Sequence, residues 1–219
     1  MELEIIGHIH TDFSEKFGIP RQSGISSLHA TITFEPNYAV EEAFRGIEGY
    51  SHLWLLWQFS EAVNVPYSPT VRPPKLGGNK RMGVFATRSP FRPNHIGLSS
   101  VTLEGVEKTE NGILLRVGGA DLMDGTPILD IKPYLPYTDC HTDATGGFSV
   151  DFDRKLTVKF ACDCPLSDEK RKGLVAVLEQ DPRPSYLEDP SRVFGMSFAG
   201  YNVKFKVDGD TLTVVEMKF

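Results

Sequence analysis

No stretch of this sequence approaches the ~20 consecutive apolar residues of a membrane-spanning helix. Cysteine is scarce: Cys140, Cys162 and Cys164 are the only three. An odd, low count argues against a disulfide framework and for reduced thiols, so the cytoplasm is the expected compartment. The opening MELEIIGHIH lacks the basic start and apolar run of a leader peptide and reads as the first strand of the fold. No GxGxxG lies between a strand and a helix, which argues against a Rossmann dinucleotide site. Internal repeats and low-complexity tracts are missing too. The most informative absence is of acid. From Ala62 to Leu103 there is no Asp or Glu, although the chain carries 29 acidic residues and a formal net charge of -6. Arg72, Lys75, Lys80, Arg81, Arg88 and Arg92 all fall in that window. An acidic body with one basic segment stays soluble while attracting a polyanion locally. The competing reading is a solvated charged loop.

What is present is ordinary in bulk and unusual in one place. The 219 residues suffice for one sizeable domain or a domain with a small companion, at 40% hydrophobic content and a mean hydropathy of -0.21. The segment Met82–Ser100, MGVFATRSPFRPNHIGLSS, reads as strand, stiff loop, strand. Pro90 and Pro93 fix their own φ and push Ser89 and Arg92 towards extended conformations. Gly97 permits close backbone approach where the second strand begins. A loop stiffened this way and carrying Arg88 and Arg92 suits an anionic or planar polar ligand. Alternatively, both arginines satisfy neighbouring carbonyls. Pro20-Arg21-Gln22 has the same character: a proline-fixed turn presenting a guanidinium and an amide.

Alternation predicts strands over 3–9, 28–34, 114–117, 128–131 and 152–161, and a hairpin from 203–207 to 211–217 around Asp208-Gly209-Asp210. Tyr50–Phe59 is a short, aromatic-rich apolar run and reads as a buried strand. A short helix is expected over 37–45, capped by Asn37 and stopped by Gly46. Ser167 caps a second over 168–180, burying Leu174, Val175, Val177 and Leu178. Residues 66–81 form a long Pro/Gly-rich loop, the kind that serves as a lid or binding arm. Consecutive antiparallel pairing is expected. The fold class is therefore mainly β, α+β overall: a small β-barrel-like domain over 1–137, a linker over 138–149 and a smaller α+β unit over 150–219. Metal is not expected. His8 and His10 share a face but have no further ligands nearby, and Cys162-Asp163-Cys164 is half a zinc site without its partner. Asp121, Asp124 and Asp130 cluster within ten positions. They fit acid–base work, cation binding or turn formation, and Asp130 has Lys132 beside it.

Read together, FGIPRQSG, SHLWLLWQF, PTVRPPKLGGNKRMGVFATRSPFRPNHIGLS, DLMDGTPILDIKPYLPY and DPRPSY resemble the TrmO (YaeB, or TsaA-like) family, in order and over nearly the whole chain. That resemblance implies a β-barrel methyltransferase using S-adenosylmethionine. The implied reaction methylates the exocyclic nitrogen of threonylcarbamoyl-adenosine beside the anticodon of threonine tRNA. It also implies a homodimer with the cofactor near the subunit interface. Matching positions give a cofactor site of Pro20, Arg21, Gln22, Ser60, Glu61, Arg88, Leu98, Met123, Asp124, Gly125 and Thr126. Ser60-Glu61 stands where the family motif has His-Gln, and His95 where it has proline. Asp181, Arg183 and Tyr186 in the terminal unit are implied for catalysis, with Asp181 and Tyr186 as candidate bases. Arg72, Lys75, Lys80, Arg81 and Arg92 are assigned to the RNA. Methyl transfer from a sulfonium is an in-line displacement in which positioning is the main task. Two other classes remain as alternatives: a non-catalytic RNA-binding module, and a metal-dependent enzyme acting on a phosphorylated small molecule.

Overall fold

A computed structural model describes residues 2–149, 155–184, 187 and 189–219. Tyr186, the side chain of Lys75 and the first residues of the strand expected over 152–161 lie outside the described residues. In chain order the strands are β1 Gly7–His10, β2 His29–Phe34, β3 His52–Gln58, β4 Thr70–Val71, β5 Met82–Gly83, β6 Ile96–Thr109, β7 Gly112–Gly118, β8 Thr126–Pro133, β9 Thr157–Phe160, β10 Phe194–Phe198, β11 Tyr201–Asp208 and β12 Thr211–Lys218. The α-helices are α1 Pro136–Asp139 and α2 Asp168–Glu179.

Six strands close into a barrel in the order β1-β2-β7-β6-β3-β8, every pairing antiparallel. The two-residue side-chain period sends Ile9, Ile32, Leu53, Leu55, Leu115 and Ile128 inwards, all at most 1% exposed. Each such burial contributes about 1.5–3 kcal/mol relative to exposure. His8 and His10 point outwards, where His10 meets Thr33 Oγ1 at 3.0 Å. Up-and-down alternation has a consequence for the site. The ends of β1, β3 and β7 and the starts of β2, β6 and β8 share one mouth of the barrel, so the connections 11–28, 59–95 and 119–125 all rise from it.

The second unit is a four-stranded sheet, β10-β11-β12-β9, with β9 parallel to β12 and α2 against it. The 11–28 connection docks on this unit. Phe13 and Leu28 are buried in its apolar core, and the Phe13 and Phe198 rings meet edge to face at 5.5 Å. Lys170 Nζ reaches Asp12 Oδ1 at 2.8 Å, and the Ser197 N–H donates to Glu15 Oε1 at 2.6 Å. Gly173 lets α2 lie on Leu28, because a Cβ there would come within 3.0 Å of that side chain.

Several expectations shift. Residues 37–45 form a 3-10 turn over Glu41–Phe44 with Val40 as N-cap and no side-chain cap bond; Asn37 lies upstream, in a turn tied to the Glu35 carbonyl. Gly46 does adopt the left-handed conformation. Ser167 caps α2 through the Lys170 N–H, but Gly173 rather than Val175 completes its buried face. The long loop is pinned at its base by the β4–β5 ribbon and carries a 3-10 turn over Pro74–Leu76. β2 pairs with β7, not β3, and β10 is a strand that went unread.

Candidate functional site

Two adjoining cavities open at the barrel mouth. The smaller, about 350 Å³, is lined by Pro20, Arg21, Gln22, Trp57, Phe59, Thr87, Arg88, Arg92, Ile96, Gly97, Leu98 and Asp121. The larger, about 1080 Å³, runs from the 16–22 segment past Met82, Phe85 and Arg88 to Gly147, Phe148, Val177 and Arg183. Pro20, Arg21, Gln22, Thr87 and Arg88 line both, forming a shared wall. Two proline-stiffened turns thus meet, and a hydrogen bond from Arg88 Nη1 to Gln22 Oε1 joins them. Gln22 in turn donates to the Arg21 carbonyl.

Arg21 spans the two units. Its Nη2 donates to the carbonyls of Asp181 at 2.7 Å and Arg183 at 3.2 Å. Burial pushes the guanidinium below its ordinary value, against the pull of the Asp181 carboxylate, and it remains charged because that ordinary value is so high. Asp181 follows the end of α2 in the left-handed conformation, φ 49°, its N–H closing on the Leu178 carbonyl at 3.1 Å. Both its carboxylate oxygens face one fork: Arg183 Nε to Oδ1 at 2.8 Å and Nη2 to Oδ2 at 2.9 Å. Two guanidiniums therefore offset a carboxylate placed at the negative end of a helix. This is a firm mount on the wall of the larger cavity.

The floor of the smaller cavity is a directed relay. Trp57 Nε1 donates to Ser99 Oγ at 3.0 Å, and Ser99 Oγ donates to Asp121 Oδ1 at 2.6 Å. Burial pushes the Asp121 carboxyl up, while the Ser99 hydroxyl and the Arg88 charge pull the other way. Gly97 pairs with Trp57 across β6 and β3, and a Cβ there would lie 2.6 Å from Trp57 Cδ2 and nearer still to two other indole carbons. The close approach read from Gly97 is thus an indole lying on its backbone.

The expected residues divide. Pro20, Arg21, Gln22, Arg88 and Leu98 come together in the smaller cavity. Met123–Thr126 form a turn with Gly125 at φ 74°, held against β1 by the Gly125 N–H to the Ile9 carbonyl and against the 11–28 connection by the Asp124 N–H to the Phe13 carbonyl, both 2.8 Å. Asp124 Oδ1 accepts from the Thr11 N–H at 3.1 Å. Ser60 and Glu61 sit in a 3-10 turn, with Glu61 3.8 Å from Lys16. These six lie at the same mouth but line neither cavity. Arg72 and Lys80 are exposed, and Arg81 bonds Thr70 Oγ1 at 2.7 Å. Arg92 turns inwards to the Thr87 carbonyl at 2.7 Å with its guanidinium over Phe85, so it braces the loop. Asp130 pairs with Lys132 at 2.8 Å. His95 has φ 42°, which a proline ring forbids, and its Nδ1 meets the Pro90 carbonyl at 2.8 Å, tying the loop by another route. Among the described residues no group of His, Cys, Asp or Glu could hold a metal. No helix among them is long and apolar enough to cross a membrane. Trp57, Phe59 and Ser99 went unsuspected; a glycine facing a tryptophan in neighbouring strands was the available signal.

Comparison with known proteins places this geometry. Residues 8–140 match the family model of the tRNA-methyltransferase O N-terminal domain, and residues 148–219 that of the TrmO C-terminal domain. A protein of Escherichia coli (strain K12) named tRNA (adenine(37)-N6)-methyltransferase is 40% identical over 218 residues, covering 94% of this chain and 93% of that protein. One of Mus musculus with the same name is 44% identical over 191 residues, 85% of this chain and 42% of its own. A crystal structure of TrmO superposes with a TM-score of 0.77 at 32% identity, covering 100% of this chain and 99% of that one. One of TrmO from Pseudomonas aeruginosa gives 0.76 at 32%, covering 100% and 98%.

Proposed function

The chain belongs to the TrmO family and is an S-adenosylmethionine-dependent tRNA methyltransferase, and from that premise we propose that it methylates N6 of threonylcarbamoyl-adenosine beside the anticodon of threonine tRNA. The observation that carries the finer reading is the pair of cavities sharing one wall. A donor in the smaller and an extruded nucleoside in the larger would meet across Pro20–Gln22 and Arg88. About 1080 Å³ accommodates a base with a bulky acyl substituent.

The residues of the smaller cavity fit the cofactor. Trp57, Phe59 and Leu98 offer apolar walls, and Arg88, already oriented by Gln22, offers a fork for the methionine carboxylate. The cofactor, when bound, supplies an activated methyl group on a sulfonium. The protein's own work is to hold and orient. Arg21 locks the 181–183 backbone against the barrel, and Asp181 presents Arg183 on the far wall of the larger cavity. Arg72 and Lys80 are exposed on the acid-free arm and reach for phosphate, which makes binding salt-dependent. Splayed-out loop bases stack on aromatic faces such as Phe85, 72% exposed on the cavity rim. Exposed Leu98 and Phe91 beside the same mouth support a homodimer formed there. The three free cysteines support a cytoplasmic setting.

Mass spectrometry of tRNA nucleosides tests the reading. Purified protein with S-adenosylmethionine and threonylcarbamoylated threonine tRNA should yield the N6-methylated nucleoside. An unchanged nucleoside, or equal methylation of tRNA lacking the threonylcarbamoyl group, would refute it.

A further inference from the structure

Of the three clustered aspartates, Asp124 is spent on a turn and Asp130 on Lys132, while Asp121 stands in the smaller cavity. Asp121 shares that cavity with Arg88, close enough for the guanidinium to stabilise its anion, yet no ion pair joins the two among the described residues. Arg21 and Arg92 also line the cavity but are committed to backbone carbonyls, which leaves Arg88 and Asp121 as a cation and an anion held apart, matching the two ends of a zwitterion. We propose that Asp121 and Arg88 form a clamp for the α-amino acid end of the methyl donor, Asp121 receiving the α-ammonium and Arg88 the α-carboxylate. This inference rests on the proposed function, which puts the donor in that cavity.

Three observations support the assignment. First, the relay aims the carboxylate. Ser99 accepts from Trp57 Nε1 and donates its one proton to Asp121 Oδ1, so neither hydroxyl nor carboxylate is free to rotate. A carboxylate has about four lone-pair sites, so with Ser99 on Oδ1 it keeps acceptor capacity for an ammonium. Second, the cavity demands both charges. Trp57, Phe59 and Ile96 are part-buried and offer an ammonium no polar partner, so one bound there by Arg88's carboxylate contact alone would lack a counter-charge. Third, the carboxylate sits where a further counter-charge is favourable. Burial works against its charge, and an incoming ammonium relieves that cost.

The test separates this clamp from the function it rests on. Calorimetry is run on the full chain and on Asp121→Asn, with S-adenosylhomocysteine and with its analogue lacking the α-amino group. The parent should bind S-adenosylhomocysteine, and Asp121→Asn should bind it roughly 10- to 100-fold more weakly, the range for a charge-assisted hydrogen bond. The deamino analogue should bind both proteins equally weakly, a comparison that does not depend on small differences in folding. Ser99→Ala, which frees the carboxylate without removing it, should show a smaller loss for S-adenosylhomocysteine only. Equal affinity of parent and Asp121→Asn for S-adenosylhomocysteine would overturn the clamp, as would tight binding of the deamino analogue by the parent. Unchanged affinity with lost turnover would assign Asp121 to proton acceptance instead and also overturn it. If the parent binds neither ligand, the cofactor site itself is refuted and the clamp falls with it.

Discussion

Gly97→Ala is the smallest change that addresses the cavity floor. The added methyl would lie 2.6 Å from Trp57 Cδ2 and closer to two further indole carbons, whereas carbon atoms in contact settle at about 3.5–4.0 Å. Gly97 sits in β6 with an ordinary strand backbone, so alanine brings no dihedral strain; the whole effect is spatial. The indole must retreat by about an ångström, and overpacking of this kind costs about 1–3 kcal/mol. Retreat also stretches the 3.0 Å bond from Trp57 Nε1 to Ser99, worth about 0.5–1.5 kcal/mol net. We expect a loss of about 2–3 kcal/mol in urea unfolding, with the denaturant slope unchanged. Trp57 and Trp54 are the only tryptophans, so a Trp54→Phe background isolates the Trp57 emission, which should shift as its hydrogen bond is lost. The loosened relay should also weaken binding of S-adenosylhomocysteine several-fold, by roughly 1 kcal/mol. Stability within about 0.5 kcal/mol of the parent, together with unaltered Trp57 emission, would refute the claim that Gly97 is there for the indole.

Four further outcomes follow from particular contacts. Gly173→Ala should destabilise by about 1–2 kcal/mol in the same assay, since overpacking against Leu28 outweighs the ~1 kcal/mol of helix propensity gained; a more stable variant would contradict the packing. Asp121 has a folded-state pKa above its ordinary 3.8, so the folded form holds the proton more tightly and ligand-free stability falls as pH rises through that window. Melting curves of Asp121→Asn should therefore gain on the parent from acid to neutral pH, and a flat or reversed difference would count against the burial argument. Arg183→Lys replaces a two-pronged grip on Asp181 with one contact, and kcat/KM for tRNA should drop about tenfold while S-adenosylhomocysteine binding holds. Lys80→Ala should lower the salt dependence of tRNA binding by about one phosphate contact, with no change at the cofactor site; an unaltered slope would remove Lys80 from the RNA surface.

Much of this was legible because it is local. Two-residue alternation marked β2, β7, β11 and β12, and proline spacing marked the turns that carry Arg21 and Arg88. The barrel order was not legible. β2 joins β7 across more than eighty residues, and nothing in either segment names its partner. β9 beside β12 is parallel, contrary to the antiparallel expectation from short connections. β10 alternates Phe194, Met196, Phe198 clearly enough, yet it is short and follows a proline-rich loop that draws the eye. Asp121 shows the same limit chemically. Its neighbours in sequence suggested a cluster of three aspartates, whereas its working partner is Ser99 on β6, more than twenty residues away. For Arg92 the sequence left RNA contact and bonding to neighbouring carbonyls both open, and the fold shows the carbonyl bonds, because a side chain's direction depends on carbonyls that only the folded loop presents.

The gathering of the 11–28, 59–95 and 119–125 connections at one mouth bears on how this protein can be handled and diversified. The turn between β6 and β7, at Glu110 and Asn111, lies at the end of the barrel opposite the mouth, and both residues are exposed. A dye, an affinity handle or an inserted domain attached there would leave every mouth loop free. The same separation lets substrate preference drift by loop exchange on one rim while the strand register that closes the cylinder stays under its own selection.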